Sequence, residues 1–151
     1  MAGHAPTIEI AKHPKAKVAI ISSSWHLDIC NDLIAGATRA LSLADVKEIE
    51  VIYVPGSFEI PLAAQKAFEK GFDAVVALGL VLKGETPHFD FVCQGVTQGV
   101  IDVQLKFSKP IGYGVLMCND VDQAIARSGR PGSKEDKGYE SAIAALSLLN
   151  L

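Results

Sequence analysis

A glycine, a hydroxyl and an imidazole lie within five positions in the stretch GETPH, residues 84–88. The main-chain N–H groups of Gly84, Glu85 and Thr86 precede a predicted helix, an arrangement suited to binding an anion. His88 falls in the first turn of that helix, where an imidazole can carry a proton near neutral pH. The stretch therefore predicts an anion site with a proton carrier beside it, although a single histidine is also common as a structural residue.

Two further stretches carry groups that could hold an organic ligand. Trp25, the single tryptophan, stands where a predicted strand ends, and its indole could stack on a flat heteroaromatic ring. In GSFEIP, Gly56 permits close approach of a ligand, and Glu59 could accept hydrogen bonds from ligand hydroxyls. Both have structural alternatives, because a lone tryptophan is often a core residue and a carboxylate in a first helical turn complements the helix dipole.

Two cations flank the loop SGRPGSKED near the C-terminus. Arg127 could bind a phosphate through its planar guanidinium, and Lys137 could add a point charge. The alternatives are a helix-dipole partner for Arg127 and an ordinary surface position for Lys137. The sequence has neither a P-loop nor a GxGxxG fingerprint, so a nucleotide phosphate is not indicated.

Composition narrows the class of protein and of partner. A chain of 151 residues, 49% hydrophobic, favours one domain with a full core. The net charge of −3 and the scattering of the 14 lysines and arginines argue against a nucleic-acid or anionic-membrane partner and favour a small molecule or another protein. Without the apolar core of a signal peptide or an apolar run long enough to cross a bilayer, the sequence leads us to expect a cytoplasmic protein.

Cysteines and histidines do not predict a disulfide framework or a metal site. Cys30, Cys93 and Cys118 are widely spaced, and we expect reduced, mostly buried thiols. The four histidines are neither closely paired nor interleaved with carboxylates at the spacing of metal ligands. No metal site is therefore predicted.

Apolar β-branched runs alternate with segments of helical period, the pattern of βα units around a parallel sheet. Strands are predicted at KVAIISSSW, EIEVIYVPG, FDAVVALGLVL and KPIGYGVLM, and helices at LDICNDLIAGATRALSL, FEIPLAAQKAFEKG, residues 89–107, DVDQAIARSG and DKGYESAIAALSLLN. TIEIA, residues 7–11, is predicted as a lone strand that can add to the sheet edge of a neighbouring subunit. Ligands of such sheets bind beyond the carboxyl ends of the strands, where the groups described above are predicted to meet.

The segments VPGSFEIPLAAQ, ALGLVLKGETPHFDFVCQGVTQGV, GVLMCNDVDQAIARSG and EDKGYESAIAAL resemble, in order, the signatures of the lumazine synthase family. The resemblance runs from about Lys17 to the end. It implies a single domain over 1–151, with 1–16 as an N-terminal extension, and a flavodoxin-like three-layer α/β sandwich around a four-stranded parallel sheet. It also implies a transferase of riboflavin biosynthesis that needs no cofactor. The implied reaction condenses 5-amino-6-(D-ribitylamino)uracil with 3,4-dihydroxy-2-butanone 4-phosphate to 6,7-dimethyl-8-ribityllumazine, releasing phosphate and water.

The resemblance implies roles for individual residues as well. Trp25 would stack on the pyrimidine, with Ser57 and Glu59 holding the ribityl chain. His88 would shuttle protons and Arg127 would bind the phosphate. The full implied set is catalytic His88 and Arg127, with substrate-binding Trp25, Ser57, Phe58, Glu59, Val81, Leu82, Gly84, Glu85, Thr86, Tyr113, Arg127 and Lys137. Of these, Val81 and Leu82 would act through main-chain groups, and Tyr113 would reach the pyrimidine of a neighbouring subunit.

The sequence also departs from the family pattern. Leu80, Lys83 and Cys118 differ from the residues common there, and Trp25 replaces a usual phenylalanine, which favours binding of riboflavin or product at the same site. The loop GRPGSKEDKG is two residues longer than the GTKAGNKG-like loop of shell-forming members and contains Pro131. We therefore expect a free homopentamer rather than a decamer or an icosahedral shell.

Two other classes of function stay open on the sequence. One is a non-catalytic flavin or pteridine carrier, and the other is a structural ring or shell protein. Arg127 and Lys137 favour the enzyme, because a carrier of an uncharged lumazine has little use for them.

Overall fold

The computed structural model describes residues 3–151 and shows a four-stranded parallel sheet with helices on both faces. The strands are β1 (Lys17–Ser23), β2 (Glu48–Val54), β3 (Ala74–Leu82) and β4 (Ile111–Cys118). The helices are α1 (Leu27–Leu43), α2 (Ile60–Glu69), α3 (His88–Phe107), α4 (Val121–Ile125) and α5 (Lys137–Leu148), and a 3-10 helix (Ser57–Glu59) precedes α2. The strand order β2-β1-β3-β4 is that of a flavodoxin-like sheet, which confirms the predicted fold class.

The sheet has a separate hydrophobic core on each face. One core joins the sheet to α1 and α5, and the other joins it to α2 and α3. Side chains of β3 alternate between the two, with Val76 and Leu78 in the first core and Val75 and Ala77 in the second. Because β3 is covered on both faces, its sequence is an unbroken apolar run.

Local signals set the ends of several helices. The Asp120 carboxylate accepts a hydrogen bond from the Gln123 N–H at 2.8 Å and caps α4, and Asp136 caps α5 by accepting from the Tyr139 N–H at 2.9 Å. Gly71, with φ of 92°, follows the last turn of α2. The predicted helices are all present.

The strands end at different heights along the sheet. The pairing of β1 with β3 ends at Ser22 and Leu78, whereas the pairing of β3 with β4 continues to Leu82 and Cys118. The last four residues of β3 therefore extend beyond β1 with one edge uncovered. This overhang forms one wall of the site described below.

The N-terminal segment contains neither strand nor helix from residue 4 to residue 13. It is attached to the end of α1, since the His13 N–H donates to the Ala44 carbonyl at 2.7 Å and the Lys12 ammonium to the Leu43 carbonyl at 2.7 Å. The predicted strand at residues 7–11 does not form within the single chain. Its addition to a neighbouring subunit stays a prediction.

None of the helices within residues 3–151 is both long enough and apolar enough to span a bilayer.

Close backbone contacts fix α5 on the sheet and on α1. A Cβ placed at Gly138 would lie 2.0 Å from the main-chain oxygen of Leu33, and one at Gly112 would lie 2.0 Å from that of Ser141. Only glycine fits at either position without movement of the backbone. The position of α5, and with it that of Lys137 at its start, depends on these two contacts.

We predict that Gly138→Ala destabilises the fold by about 3 kcal/mol, because the added methyl group would overlap the α1 backbone. This loss exceeds the gain of about 1 kcal/mol that alanine brings to a helix. Urea unfolding followed by circular dichroism measures the change. Gly84→Ala is the matched control for stability, since no atom lies within 4 Å of a Cβ at position 84; equal unfolding midpoints for the two variants would contradict the prediction.

Candidate active site

A cleft of about 670 Å³ opens at the carboxyl ends of the strands. Its walls are the loop after β1, the turn before α2, the overhang of β3 and the first turns of α3. The lining residues are Trp25, His26, Gly56, Ser57, Phe58, Glu59, Leu80, Val81, Leu82, Gly84, Thr86, His88, Phe89, Phe91 and Val92. The structure therefore brings together the indole, the carboxylate and the imidazole that the sequence analysis selected.

Trp25 lies on the cleft wall with an unpacked indole. Its side chain is among the most exposed of the large apolar residues, at 67%, so the alternative that it is a core residue is wrong. Its main-chain oxygen accepts a bond from the Cys30 thiol at 3.4 Å. The next residue, His26, has the left-handed φ of 54° and its carbonyl accepts from the N–H groups of Ile29 and Cys30 at the start of α1. The backbone is thus fixed and the indole face is free.

The turn at Gly56 holds Glu59 close to the tryptophan. The Gly56 N–H donates to Oε2 of Glu59 at 2.8 Å, so the carboxylate has a structural role within this turn. A Cβ at position 56 would lie 3.2 Å from that oxygen and 3.4 Å from Cδ1 of Trp25. Glycine therefore allows the three groups to meet, and the exposed carboxylate remains on the cleft wall.

Ser57 and Phe58 border the cleft in different ways. The Ser57 side chain is only 5% exposed, and among the residues described its hydroxyl has no hydrogen-bond partner. That oxygen lies against β3, since a Cβ at Gly79 would be 2.5 Å from it. The Phe58 ring is 60% exposed and lies against Gly95 of α3, where a Cβ would be 2.5 Å away. Ser57 can thus offer its main chain to a ligand more readily than its hydroxyl.

The overhang of β3 presents main-chain groups to the cleft. The N–H groups of Val75 and Lys83 donate to carbonyls of Pro110 and Cys118, on the β4 side. Because successive residues of a strand point their main-chain groups to opposite sides, the odd-numbered residues face β4 and the even-numbered ones face away. Leu80 and Leu82 therefore direct their polar groups to the side where β1 has ended. Leu80 lines the cleft but was not among the predicted site residues, and the Val81 main chain is turned to β4.

The GETPH stretch forms the opposite end of the cleft. Gly84, Thr86 and His88 line it, whereas Glu85 is exposed nearby. The hydroxyl of Thr86 accepts from the His88 N–H at 3.4 Å, at the point where the 20-residue helix α3 begins. The N–H groups of Asp90 and Phe91 donate to the Pro87 carbonyl, so it is mainly the positive end of the α3 dipole that favours an anion here.

Arg127 and Lys137 are not among the residues that line the cleft. The Arg127 guanidinium donates to the Gln123 carbonyl at 2.8 Å, and its Nε lies 3.5 Å from Glu135. The Lys137 ammonium lies 3.0 Å from Glu135 and 2.6 Å from Glu140. Partial burial lowers the pKa of Lys137, but the bonds from Glu140 and Glu135 raise it above its usual value overall. Both cations are present at this edge of the sheet, but each is paired with a carboxylate.

Arg127 lies near Cys118, at the end of β4. Burial raises the pKa of the Cys118 thiol, and the positive charge of Arg127 offsets part of that rise. Cys118 pairs with Leu82, and its carbonyl accepts from Lys83, immediately before Gly84. The strand pairing therefore joins the surroundings of Arg127 to the predicted anion site.

Tyr113 lies on β4, outside the cleft of its own chain. Its hydroxyl is 2.7 Å from that of Thr97, and burial raises its pKa. Its side chain is 39% exposed on the outer side of the sheet edge. The predicted contact is with the ligand of a neighbouring subunit, and it stays a prediction.

The lining residues that sequence reasoning missed include His26, Phe89 and Val92. His26 directly follows Trp25, so the strand-end rule that selected the tryptophan could have included it. Phe89 and Val92 are three residues apart at the start of α3, and helical periodicity would have placed them on one face. Within residues 3–151, no group of three or more His, Cys, Asp or Glu side chains is arranged to hold a metal.

Comparison with known proteins gives consistent matches along the chain. Residues 15–151 match the family model described as 6,7-dimethyl-8-ribityllumazine synthase. A protein of that name from Paenarthrobacter aurescens is 48% identical over 97% of this chain and 94% of its own length. Those from Nocardioides and Streptomyces coelicolor are 48% and 46% identical, over 97% and 95% of this chain and 91% and 89% of their own lengths.

Proposed function

The chain belongs to the 6,7-dimethyl-8-ribityllumazine synthase family, and we propose that its cleft condenses 5-amino-6-(D-ribitylamino)uracil with 3,4-dihydroxy-2-butanone 4-phosphate. The observation that carries this proposal is the meeting of Trp25, Glu59 and His88 around one cleft that ends at the N-terminus of α3. A flat stacking group, a carboxylate for hydroxyls, a proton carrier and an anion site are the parts that this pair of substrates requires.

The pyrimidine end of the site is built from Trp25 and the overhang of β3. The exposed indole stacks on the heterocycle. The main-chain groups of Leu80 and Leu82 meet its polar edge, because β1 leaves them without a neighbouring strand. Glu59 accepts hydrogen bonds from the ribityl hydroxyls, and Ser57 and Phe58 border the same part of the cleft.

The phosphate end is built from the GETPH turn and two cations. The N–H groups around Gly84, Glu85 and Thr86 and the N-terminus of α3 attract the dianion. Arg127 binds it through charged hydrogen bonds and Lys137 adds a second positive charge. Binding requires both cations to leave their carboxylate partners, at least in part.

The reaction consists of proton transfers between positioned groups. The 5-amino group of the pyrimidine attacks the ketone carbon, and loss of water gives an imine. Removal of a proton from the neighbouring carbon then expels phosphate and leaves an enol, which becomes a ketone. The ribitylamino nitrogen attacks that ketone, and loss of a second water closes the ring. His88, in the first turn of α3, moves these protons, and the rest of the site holds the two substrates in contact.

We predict that His88→Ala lowers kcat about tenfold, because both substrates are intrinsically reactive and the histidine only assists proton transfer. Arg127→Ala should be more harmful, raising KM for the phosphorylated ketone by about 10- to 100-fold through the loss of charged hydrogen bonds. A steady-state assay of lumazine absorbance measures both. Unchanged kinetics in Arg127→Ala would remove phosphate binding from that residue, and absence of product with the wild type would favour a non-catalytic carrier.

We also propose that riboflavin binds in the same cleft, because its ring system is flat and carries the same ribityl chain. Trp25 is the single tryptophan and its indole is exposed, so its fluorescence reports on this site alone. Titration with riboflavin should quench the emission until the site is saturated, and His88→Ala should quench to the same extent. An unchanged emission spectrum at saturating riboflavin would reject stacking on Trp25.

Assembly into a ring is supported by two exposed apolar faces on opposite edges of the sheet. One includes Tyr113, Met117 and Leu105 of β4 and α3, and the other includes Tyr53 and Leu62 of β2 and α2. A cyclic ring requires two different complementary faces on each subunit. We propose a homopentamer in which Tyr113 completes the neighbour's cleft and residues 7–11 add to an open sheet edge. A cytoplasmic location is part of the same proposal.

A free pentamer is expected to have a mass of about 80 kDa, five times the 16.0 kDa of the chain. The loop that carries Pro131 is held against α1 of its own chain by the bond from Arg130 to Asp32, at 2.7 Å. This anchoring restrains the loop from reaching another ring. Light scattering coupled to gel filtration measures the mass, and a particle in the megadalton range would contradict the prediction.

A further inference from the structure

One carboxylate is shared by the two cations assigned to the phosphate. Oε2 of Glu135 lies 3.5 Å from Nε of Arg127, and Oε1 lies 3.0 Å from Nζ of Lys137. The two oxygens of one anion thus face two different cations, as two oxygens of a bound phosphate would. Glu140 contacts Lys137 alone, at 2.6 Å, so Glu135 is distinguished by touching both.

The main chain of Glu135 is held by hydrogen bonds, whereas its side chain is held by its ion pairs with Arg127 and Lys137. The Glu135 N–H donates to the Ala126 carbonyl at 3.0 Å, and its carbonyl accepts from the Gly129 N–H at 3.1 Å. The surrounding loop is also tied to α1 by the ion pairs of Arg130 with Asp32 and of Arg39 with Asp136. The Glu135 side chain is 27% exposed. A change of its rotamer can therefore release both cations without movement of the loop.

We propose that Glu135 is an internal counter-ion that pairs with Arg127 and Lys137 until the phosphate group of the substrate displaces it, and that it thereby sets the selectivity of the site for a dianion. The proposal rests on the phosphate role of Arg127 given under the proposed function. A neutral or singly charged ketone gains too little from the two cations to replace a carboxylate already held there, whereas a phosphate dianion carries more charge and more acceptor oxygens. Glu135 is a positioning residue, since it acts through the two cations.

Inhibition by inorganic phosphate tests this directly, because the probe competes for the two cations without requiring turnover. In Glu135→Gln, the inhibition constant for phosphate and KM for the phosphorylated ketone should both fall by about three- to tenfold, since a like charge is removed while the shape is kept. KM for the ribitylaminouracil should not change. Damage to the loop would raise these constants, so a purely structural role predicts the opposite direction.

Two further variants complete the experiment. Glu135→Asp restores the charge and should return the inhibition constant toward that of the wild type. Glu69→Gln is the matched control, because Glu69 also pairs with a lysine, Lys66, and its substitution changes the net charge equally, but Glu69 lies at the C-terminal end of α2. Wild-type or weaker phosphate inhibition in Glu135→Gln would overturn the proposal, as would an equal gain in Glu69→Gln.

The same assay separates this inference from the function on which it rests. Arg127→Ala should weaken phosphate inhibition if Arg127 binds the anion. If Arg127→Ala loses inhibition and Glu135→Gln resembles the wild type, only the role of Glu135 fails. If phosphate inhibits Arg127→Ala as strongly as it inhibits the wild type, the assignment of the phosphate to Arg127 fails, and the role of Glu135 fails with it.

Discussion

The extension of β3 beyond β1 is the constraint on which the site depends. Since β1 pairs with β3 only as far as Ser22 and Leu78, four residues of a central strand reach the edge of the sheet with one side uncovered. Main-chain groups there must be satisfied by water or by a ligand. The same difference in length leaves room between the end of β1 and the first turn of α3, which is where the cleft lies.

The two ends of the cleft offer different kinds of interaction to a ligand. At one end, glycine at position 56 lets a carboxylate and an indole approach each other, and the result is an apolar, stacking surface with one acceptor. At the other end, the N-terminus of α3 favours an anion, while Arg127 and Lys137, which do not line the cleft, are paired with Glu135. A substrate with a flat ring and one with a phosphate can therefore be bound side by side. His88 lines the same cleft, at the start of α3.

A single chain provides only part of what a closed site would need. The cleft is open to solvent next to Trp25 and Phe58, both of which are largely exposed. Tyr113 and its neighbours on β4 offer an apolar surface that their own chain does not use. Burial of these surfaces between subunits would exclude water from the reaction and stabilise the ring by the same contacts, so assembly and activity are expected to be coupled.

Local signals in the sequence were enough to predict the helices, the four strands of the sheet, the edge at which the cleft lies and several of its lining residues, since hydrophobic periodicity, caps such as Asp120 and strand-end rules are local. The orientation of particular side-chain and main-chain groups depends on the tertiary structure. The Ser57 hydroxyl is buried against Gly79, and Leu80 rather than Val81 directs its main-chain groups to the free edge of β3. Arg127 is paired with Glu135 and does not line the cleft. These outcomes depend on strand register and on contacts between distant segments, which no local pattern specifies.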